Sequence, residues 1–303
     1  MQNRKTSIGV VVVVLCVSAA LVAAPTVMFL FKDVVATMTA QETDAYAVNN
    51  SRAIAGDYVD ANGVQHGVIL GGTNAFTLAD RADCPGTPGA TGISFYGINS
   101  TGVAAGWCSN TSGVEIGFTF FKGKFTNITI AGATLVNANG INDAGSVVGT
   151  YVDASGIQHG YLLEGASLTT LPTPPGVVSL ATAWGINNAG VITIYGADVN
   201  GDYLSFTTAN KGVTYTAIHT PGEGSLGSVI HQINNKGDII FTQFDASNNR
   251  HGVLYHGGQY YVFDDPNGVG STRPDGLNDM DVMVGRYGSG VYGGIGFEAF
   301  TTP

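Results

Sequence analysis

Residues 137–173 read NANGINDAGSVVGTYVDASGIQHGYLLEGASLTTLPT. The run divides at its turn formers into four segments of strand length: "NANGIN" leads into "NDAG", "SVVGTYV" into "DASG", "IQHGYLLE" follows, and "SLTTLPT" ends it. Asn and Asp side chains bond the backbone two residues ahead, and Gly accepts the positive φ that closes a tight hairpin. Between the turns the residues alternate or run apolar, as strands buried on one or both faces do. Four consecutive antiparallel strands are the content of one propeller blade.

The unit recurs through the chain. Its turn reads "AVNN" at 47–50, "GINS" at 97–100, "GIND" at 140–143, "GINN" at 185–188, "QINN" at 232–235 and "GLND" at 276–279. The anchors Asn49, Asn99, Asn142, Asn187, Asn234 and Asn278 are separated by 50, 43, 45, 47 and 44 residues, the length of a four-stranded blade. The sixth copy, "GLNDMDVMVGRY" followed by "GIGFEAFTTP", has three strands and then ends. A spare apolar stretch, "VVATMT" at 34–39, precedes the first copy and supplies a fourth. Such closure removes the raw edge of the last blade. The pattern therefore predicts an all-β fold: a six-bladed β-propeller of four-stranded antiparallel blades over 34–303, closed by an N-terminal strand that completes the last blade. An open solenoid, the rival, repeats in shorter periods and needs caps.

The pattern "GIN(N/D)AG…VVGTYVDASGIQHGYLL…TTL" resembles the HAF-repeat family of extracellular repeat proteins over roughly 34–303. The Asn turn, the "DASG" turn and the His-Gly-apolar strand match, whereas the name-giving His-Ala-Phe is altered to "HGV" and "HGY". The resemblance implies an exported β-propeller-like scaffold and lends no settled activity.

Composition agrees with a turn-rich β chain: 44 glycines in 303 residues, and 11% charged residues. These are about twice and under half of ordinary usage. A formal charge of −10 repels phosphate backbones, and no basic cluster offsets it, so nucleic acid is not an expected partner. "MQNRK" followed by the uncharged run from Ile8 to Ala24 has the order of a signal peptide, with Ala20, Ala24, Ala36 and Ala40 as candidate cleavage points. Left uncut, the apolar run is long enough to be a membrane anchor. Both readings export the rest of the chain, which is expected to be a monomer. Cys16 lies in the leader, and the remaining pair, Cys84 and Cys108, predicts a disulfide in an oxidising compartment.

Repetition separates frame from site. A residue that returns in most copies answers a need every blade shares, whereas a ligand site on a ring forms where copies differ. The asparagines and the second-turn carboxylates Asp60, Asp153, Asp198 and Asp245 are frame by this rule. "DVNGD" at 198–202 resembles the start of a calcium loop but lacks the later acidic ligand. His66, His159 and His251 recur in alternate copies, with Ile116, Leu204 and Ile295 in the others, which predicts buried packing positions between blades rather than a shared metal site. The residues that break the repeat are the candidate binding residues: Trp107 and Trp184, Arg81 in the insertion between copies one and two, and Asp264, Asp265, Arg273 and Asp275 between copies five and six; the unrepeated His219, His231 and His256 could serve acid/base chemistry. Exposed Trp suits stacking on sugar or peptide. No nucleophile elbow, zinc-protease motif or phosphate loop is present, and no cofactor or metal is implied. The sequence thus points to a non-enzymatic scaffold binding a glycan or extracellular protein through loops on one face. The alternatives are a polysaccharide lyase or hydrolase with an axial active site, and a membrane-anchored surface module.

Overall fold

Six antiparallel sheets follow one another along the chain, each built from consecutive strands, and together they form a six-bladed β-propeller. The structure is a computed structural model describing residues 9–11, 28–34, 42–71, 76–79, 90–110, 112, 114–290 and 293–302. The inner strands of blades one to six are Glu42–Val48, Ala90–Ile98, Leu135–Ile141, Ser179–Ile186, Ser228–Ile233 and Arg273–Leu277. Blade three shows the plan: Leu135–Ile141, Val147–Val152, Gln158–Glu164 and Ser167–Thr170 pair in that order, matching the four segments read from the sequence. Among the described residues no helix is long and apolar enough to cross a membrane.

The recurring asparagines close the ring. Each Oδ1 accepts backbone N–H groups of its own turn, as from Ser51 and Ala53 at Asn49 and from Met280 and Val282 at Asn278. Each Nδ2 then donates to the main-chain carbonyl of the next blade's asparagine: Asn49 to Asn99, Asn99 to Asn142, Asn142 to Asn187, Asn187 to Asn234, Asn234 to Asn278, and Asn278 back to Asn49, at 2.9–3.2 Å. One side chain thus holds its turn and ties its blade to the next. Asn carries its acceptor and its donor on separate atoms at the end of one short side chain, so it can hold its own turn and reach the next blade at once, which is why it returns six times.

The second-turn carboxylates are frame by the same chemistry. Asp153 Oδ1 accepts from Ser155 and Ile157, and Asp60, Asp198 and Asp245 repeat the pattern. The calcium-like "DVNGD" is therefore a plain hairpin turn. The recurring histidines serve these turns: Nε2 of His66, His159 and His251 meets the other oxygen of Asp60, Asp153 and Asp245 in its own blade at 3.3, 2.9 and 3.4 Å. They do not share a cavity. The expectation of buried packing is corrected, since their side chains are 17, 24 and 21% exposed and bond carboxylates. In blade four, where Leu204 takes the place of His, Asp198 holds its turn without one.

An N-terminal strand completes blade six, but it is Met28–Val34 rather than 34–39, and it pairs antiparallel along the third strand, Gly293–Thr302. The short strand Gly9–Val11 pairs outside it. Packing decides the register: Phe29 and Phe31 alternate inward, 1 and 4% exposed, Phe29 stacking on Phe263 of blade five at 4.6 Å and Phe31 meeting Phe297 at 5.6 Å. Burying such a ring stabilises by roughly 1.5–3 kcal/mol. The sequence 34–39 carries no comparable aromatic pair, and residues 35–41 lie outside the described residues.

Candidate functional site

Each inner strand carries an irregularity at the same place, three residues before its asparagine. The pairing with the second strand skips from Ala45 to Ala47, Phe95 to Gly97, Ala138 to Gly140, Ala183 to Ile186, Ile230 to Ile233 and Pro274 to Gly276. A bulge of this kind leaves a residue out of the ladder and re-aims its side chain. The residues freed are Tyr46, Tyr96, Asn139, Trp184, His231 and Asp275, no two adjacent blades alike except the tyrosines. Small neighbours permit the crowding: a Cβ at Gly140 would lie 2.5 Å from the Trp184 carbonyl, and one at Gly276 would lie 2.8 Å from the Tyr46 carbonyl.

The bulged side chains meet across the axis. Tyr96 of blade two stacks on Trp184 of blade four at 5.6 Å and touches Tyr46 of blade one at 4.3 Å; Trp184 meets His231 at 5.2 Å. Contacts between blades two and four, and between Arg273 of blade six and Trp184 at 5.9 Å, place this cluster on the axis itself. Below it, toward the asparagines, Val48, Ile98, Ile141, Ile186, Ile233 and Leu277 plug the channel. Above it lie two further unrepeated sets. Asp44, Ser94, Asn137, Thr182, Val229 and Arg273 sit two residues earlier on the inner strands, and Asp57, Trp107, Thr150, Tyr195, Thr242 and Arg286 are paired opposite them. Together these side chains surround the end of the axis opposite the asparagines.

Its floor is polar and closed. Asp57, Asp275 and His231 are 2, 1 and 0% exposed. Arg286 bonds the Asp44 carboxylate and the Tyr46 hydroxyl and lies 4.9 Å over the Tyr46 ring, and its Nε is 3.8 Å from Asp275. Arg273 Nε donates to Asp275 at 2.9 Å. His231 bonds Thr242 at 2.9 Å. Burial, then the adjacent Asp44 carboxylate, pushes Asp57 up to about 7, while Ser94 bonds it. Burial, reinforced by Arg273 and Arg286, holds His231 well below the usual imidazole range. Asp44 Oδ1, Asp275 Oδ2 and His231 Nδ1 are buried with no hydrogen-bond partner among the described residues. Each such group costs about 1–3 kcal/mol. Trp107 Nε1 and Asn137 Oδ1 are orphaned beside them, so such atoms gather where the copies diverge, while Tyr161, Gln243, Asp265 and Asp281 carry others elsewhere in the ring. Half-buried Tyr96, Trp107, Tyr195, Arg273 and Arg286 form the rim above.

The opposite axial depression, lined by the asparagine turns, is not a competing site. Its acidic members, Asp143 and Asp279, each accept three hydrogen bonds from the frame, Asp143 from Ser100 and Asn188 and Asp279 from Asn235 and Asn50. Their polar atoms hold the ring together.

Of the residues expected from the sequence, Trp107, Trp184 and Arg273 come together at the axis. Trp184 is 6% exposed and serves as floor rather than as a stacking face. Asp264 and Asp265 are not part of the site. Asp264 bonds His251 Nδ1 at 2.9 Å, opposing the burial that disfavours the imidazolium, and the net effect raises His251. Asp265 is 1% exposed and caps its own turn, accepting from Asn267. Arg81 and Cys84 lie outside the described residues, while Cys108 is fully buried in blade two. Asp275 and His231, both singled out in the sequence, sit on the axis, whereas Asp44, Tyr46, Asp57 and Arg286 were not among the sequence candidates. The signal was present in the column that runs Asp, Trp, Thr, Tyr, Thr, Arg on the second strands.

No family model matches the chain, and no curated protein matches it. Solved structures do. A lectin of Aleuria aurantia in complex with Fucα1-6GlcNAc is similar with a TM-score of 0.51 and 13% identity, over 84% of this chain and 90% of that one. A gluconolactonase from Xanthomonas campestris is similar with a TM-score of 0.51 and 11% identity, over 99% of both chains. A sialidase of Trypanosoma rangeli gives a TM-score of 0.54 and 9% identity, over 89% of this chain and 59% of that one. At such identities the likeness is one of fold: a propeller that serves as lectin in one case and enzyme in others.

Proposed function

We propose that the chain is an exported, non-enzymatic propeller of the extracytoplasmic space that binds a glycan at the axial mouth. The observation that carries this reading is the set of six bulges. On an otherwise uniform ring they deliver Tyr46, Tyr96, Asn139, Trp184, His231 and Asp275 to one point, beneath Trp107, Tyr195 and two arginines. Aromatic faces with a few directional donors are the means by which proteins hold sugar rings. The lectin neighbours support the reading, since the same fold carries a glycan there. The mouth replaces the peripheral loops expected from the sequence. The leader-like N-terminus, a disulfide between Cys84 and Cys108, the HAF-repeat resemblance and a monomeric state belong to the same proposal. Glycan-array binding by the purified protein tests it: retention of defined glycans that Trp107→Ala reduces at least tenfold is expected, and array-wide silence refutes it.

A second reading, a glycan hydrolase or lyase, is favoured by Asp57, whose carboxyl is poised near neutrality beside Asp44. Against it, Asp57 and Asp275 lie under the floor, 2 and 1% exposed, where a substrate does not reach. Product release from a bound glycan, abolished by Asp57→Asn, would establish this second reading.

A further inference from the structure

Resting on the glycan-binding reading, the charge arrangement of the chamber points to the class of ligand: we infer that the axial mouth takes an uncharged saccharide and rejects acidic ones. Two arginines at a sugar site would ordinarily suggest a uronate or another carboxylated sugar, because a guanidinium pairs with carboxylate in a fork. Here both are already engaged. Arg286 is taken by Asp44, and Arg273 by Asp275, whose second oxygen also faces Arg286 at 3.8 Å. Two further carboxyls neighbour members of the inner-strand set. Asp57 stands beside Asp44, and Glu115, on the third strand of blade two, neighbours Asn137 of blade three. With these two protonated the arginines and carboxylates cancel; with both ionised, the chamber carries a surplus of two negative charges.

Nothing else reverses that balance. His231 is held neutral by burial and the arginines, so it adds no positive charge. Asp44 Oδ1 and Asp275 Oδ2 are buried without a hydrogen bond among the described residues and add negative potential around the arginines. Each guanidinium charge is already balanced by a buried carboxylate, so an acidic sugar would add a negative charge to pairs that are neutral as they stand, which is unfavourable. A neutral sugar breaks nothing. Its face lies against Trp107, Tyr96 or Tyr195, and its hydroxyls accept from the outward N–H groups of Arg273, whose Nε alone is committed to Asp275.

The test is calorimetric titration of the full protein with matched pairs of oligosaccharides, each neutral member beside its uronate or sialylated counterpart, at low and high salt. Neutral members should bind at least tenfold tighter than their acidic partners. Their affinity should change less than about twofold between 50 and 500 mM NaCl, since no net charge is paired on binding. Trp107→Ala and Tyr195→Ala should each weaken binding, and thermal unfolding of the same samples identifies any variant that has lost its fold. Equal or tighter binding of the acidic members, falling steeply with salt, would overturn the inference while leaving the glycan-binding reading in place. Failure of both members of every pair would overturn both.

Discussion

Replacing Asn278 by Asp tests whether the asparagine ring closes the propeller, because the change is isosteric and removes one function only. In the native ring Asn278 Oδ1 accepts from Met280 and Val282, and Nδ2 donates to the Asn49 carbonyl at 2.9 Å, joining blade six to blade one. Asn278→Asp keeps the acceptor and so keeps the turn. It loses the donor, and an ionised oxygen then faces the Asn49 carbonyl at a site 4% exposed. Orphaning that carbonyl costs about 1–3 kcal/mol. Burial and the opposing dipole raise the new carboxyl above its unfolded value of about 3.9 by roughly two units, which sets the total loss at about 2–3 kcal/mol once it must ionise, the orphaned carbonyl included. The sign follows from proton binding. The folded state holds the proton more tightly, so the variant's stability falls as pH rises from about 4 and levels off above the raised pKa. Below that range the neutral acid can donate to the same carbonyl. Urea unfolding at pH 4.5 and 7.5 should therefore show a deficit of about 1 kcal/mol at the lower pH and roughly 3 at the higher. Asn278→Ala, which also strips the turn of its acceptor, should show a deficit that does not vary with pH. A loss at pH 7.5 below about 0.5 kcal/mol, or one independent of pH, would refute a load shared around the ring.

Three further outcomes follow from the packing and the charges. Phe29→Ala should destabilise by about 3–5 kcal/mol, read from the denaturant midpoint, because it empties the seam between blades five and six; and N-terminal sequencing of exported protein should find a start before Met28, with Ala36 and Ala40 unused. Native stability should decline between about pH 4 and 7 as Asp57, raised to about 7 by burial and Asp44, is forced to ionise, and Asp57→Asn should flatten that slope in pH-dependent unfolding. His159→Ile should cost less than about 1 kcal/mol, since a part-exposed imidazole bonded to a turn Asp is worth little and blade two carries Ile116 at the same register.

The frame was legible because every blade states it. Period, turns and alternation each repeat, so errors in one copy are corrected by the others, and Asn in the turn has a local chemical reason. The closing strand was misplaced by six residues because it has no sibling: its register is fixed by Phe29 and Phe31 meeting Phe263 and Phe297, contacts with the far end of the chain. The site was half legible. Trp107, Trp184 and Arg273 stood out as departures from the repeat, but Asp264 and Asp265 departed equally and belong to turn and His251. What separated them was the bulge, a mismatch between two paired strands that leaves only small flanking residues such as Ala45, Ala47 and Gly97 as its trace. Asp44, Tyr46 and Arg286 acquire meaning only when blades one and six are brought together.

The bulge sets its direction by backbone geometry, whatever side chain it carries. Tyr, Asn, Trp, His and Asp all occupy it here without altering the ring below. Axial filling and scaffold are therefore written in separate columns of the repeat, and a library confined to positions 46, 96, 139, 184, 231 and 275 would reshape the floor of the site from beneath while leaving the asparagine closure intact. The molecule is in this respect a socket with six interchangeable pins.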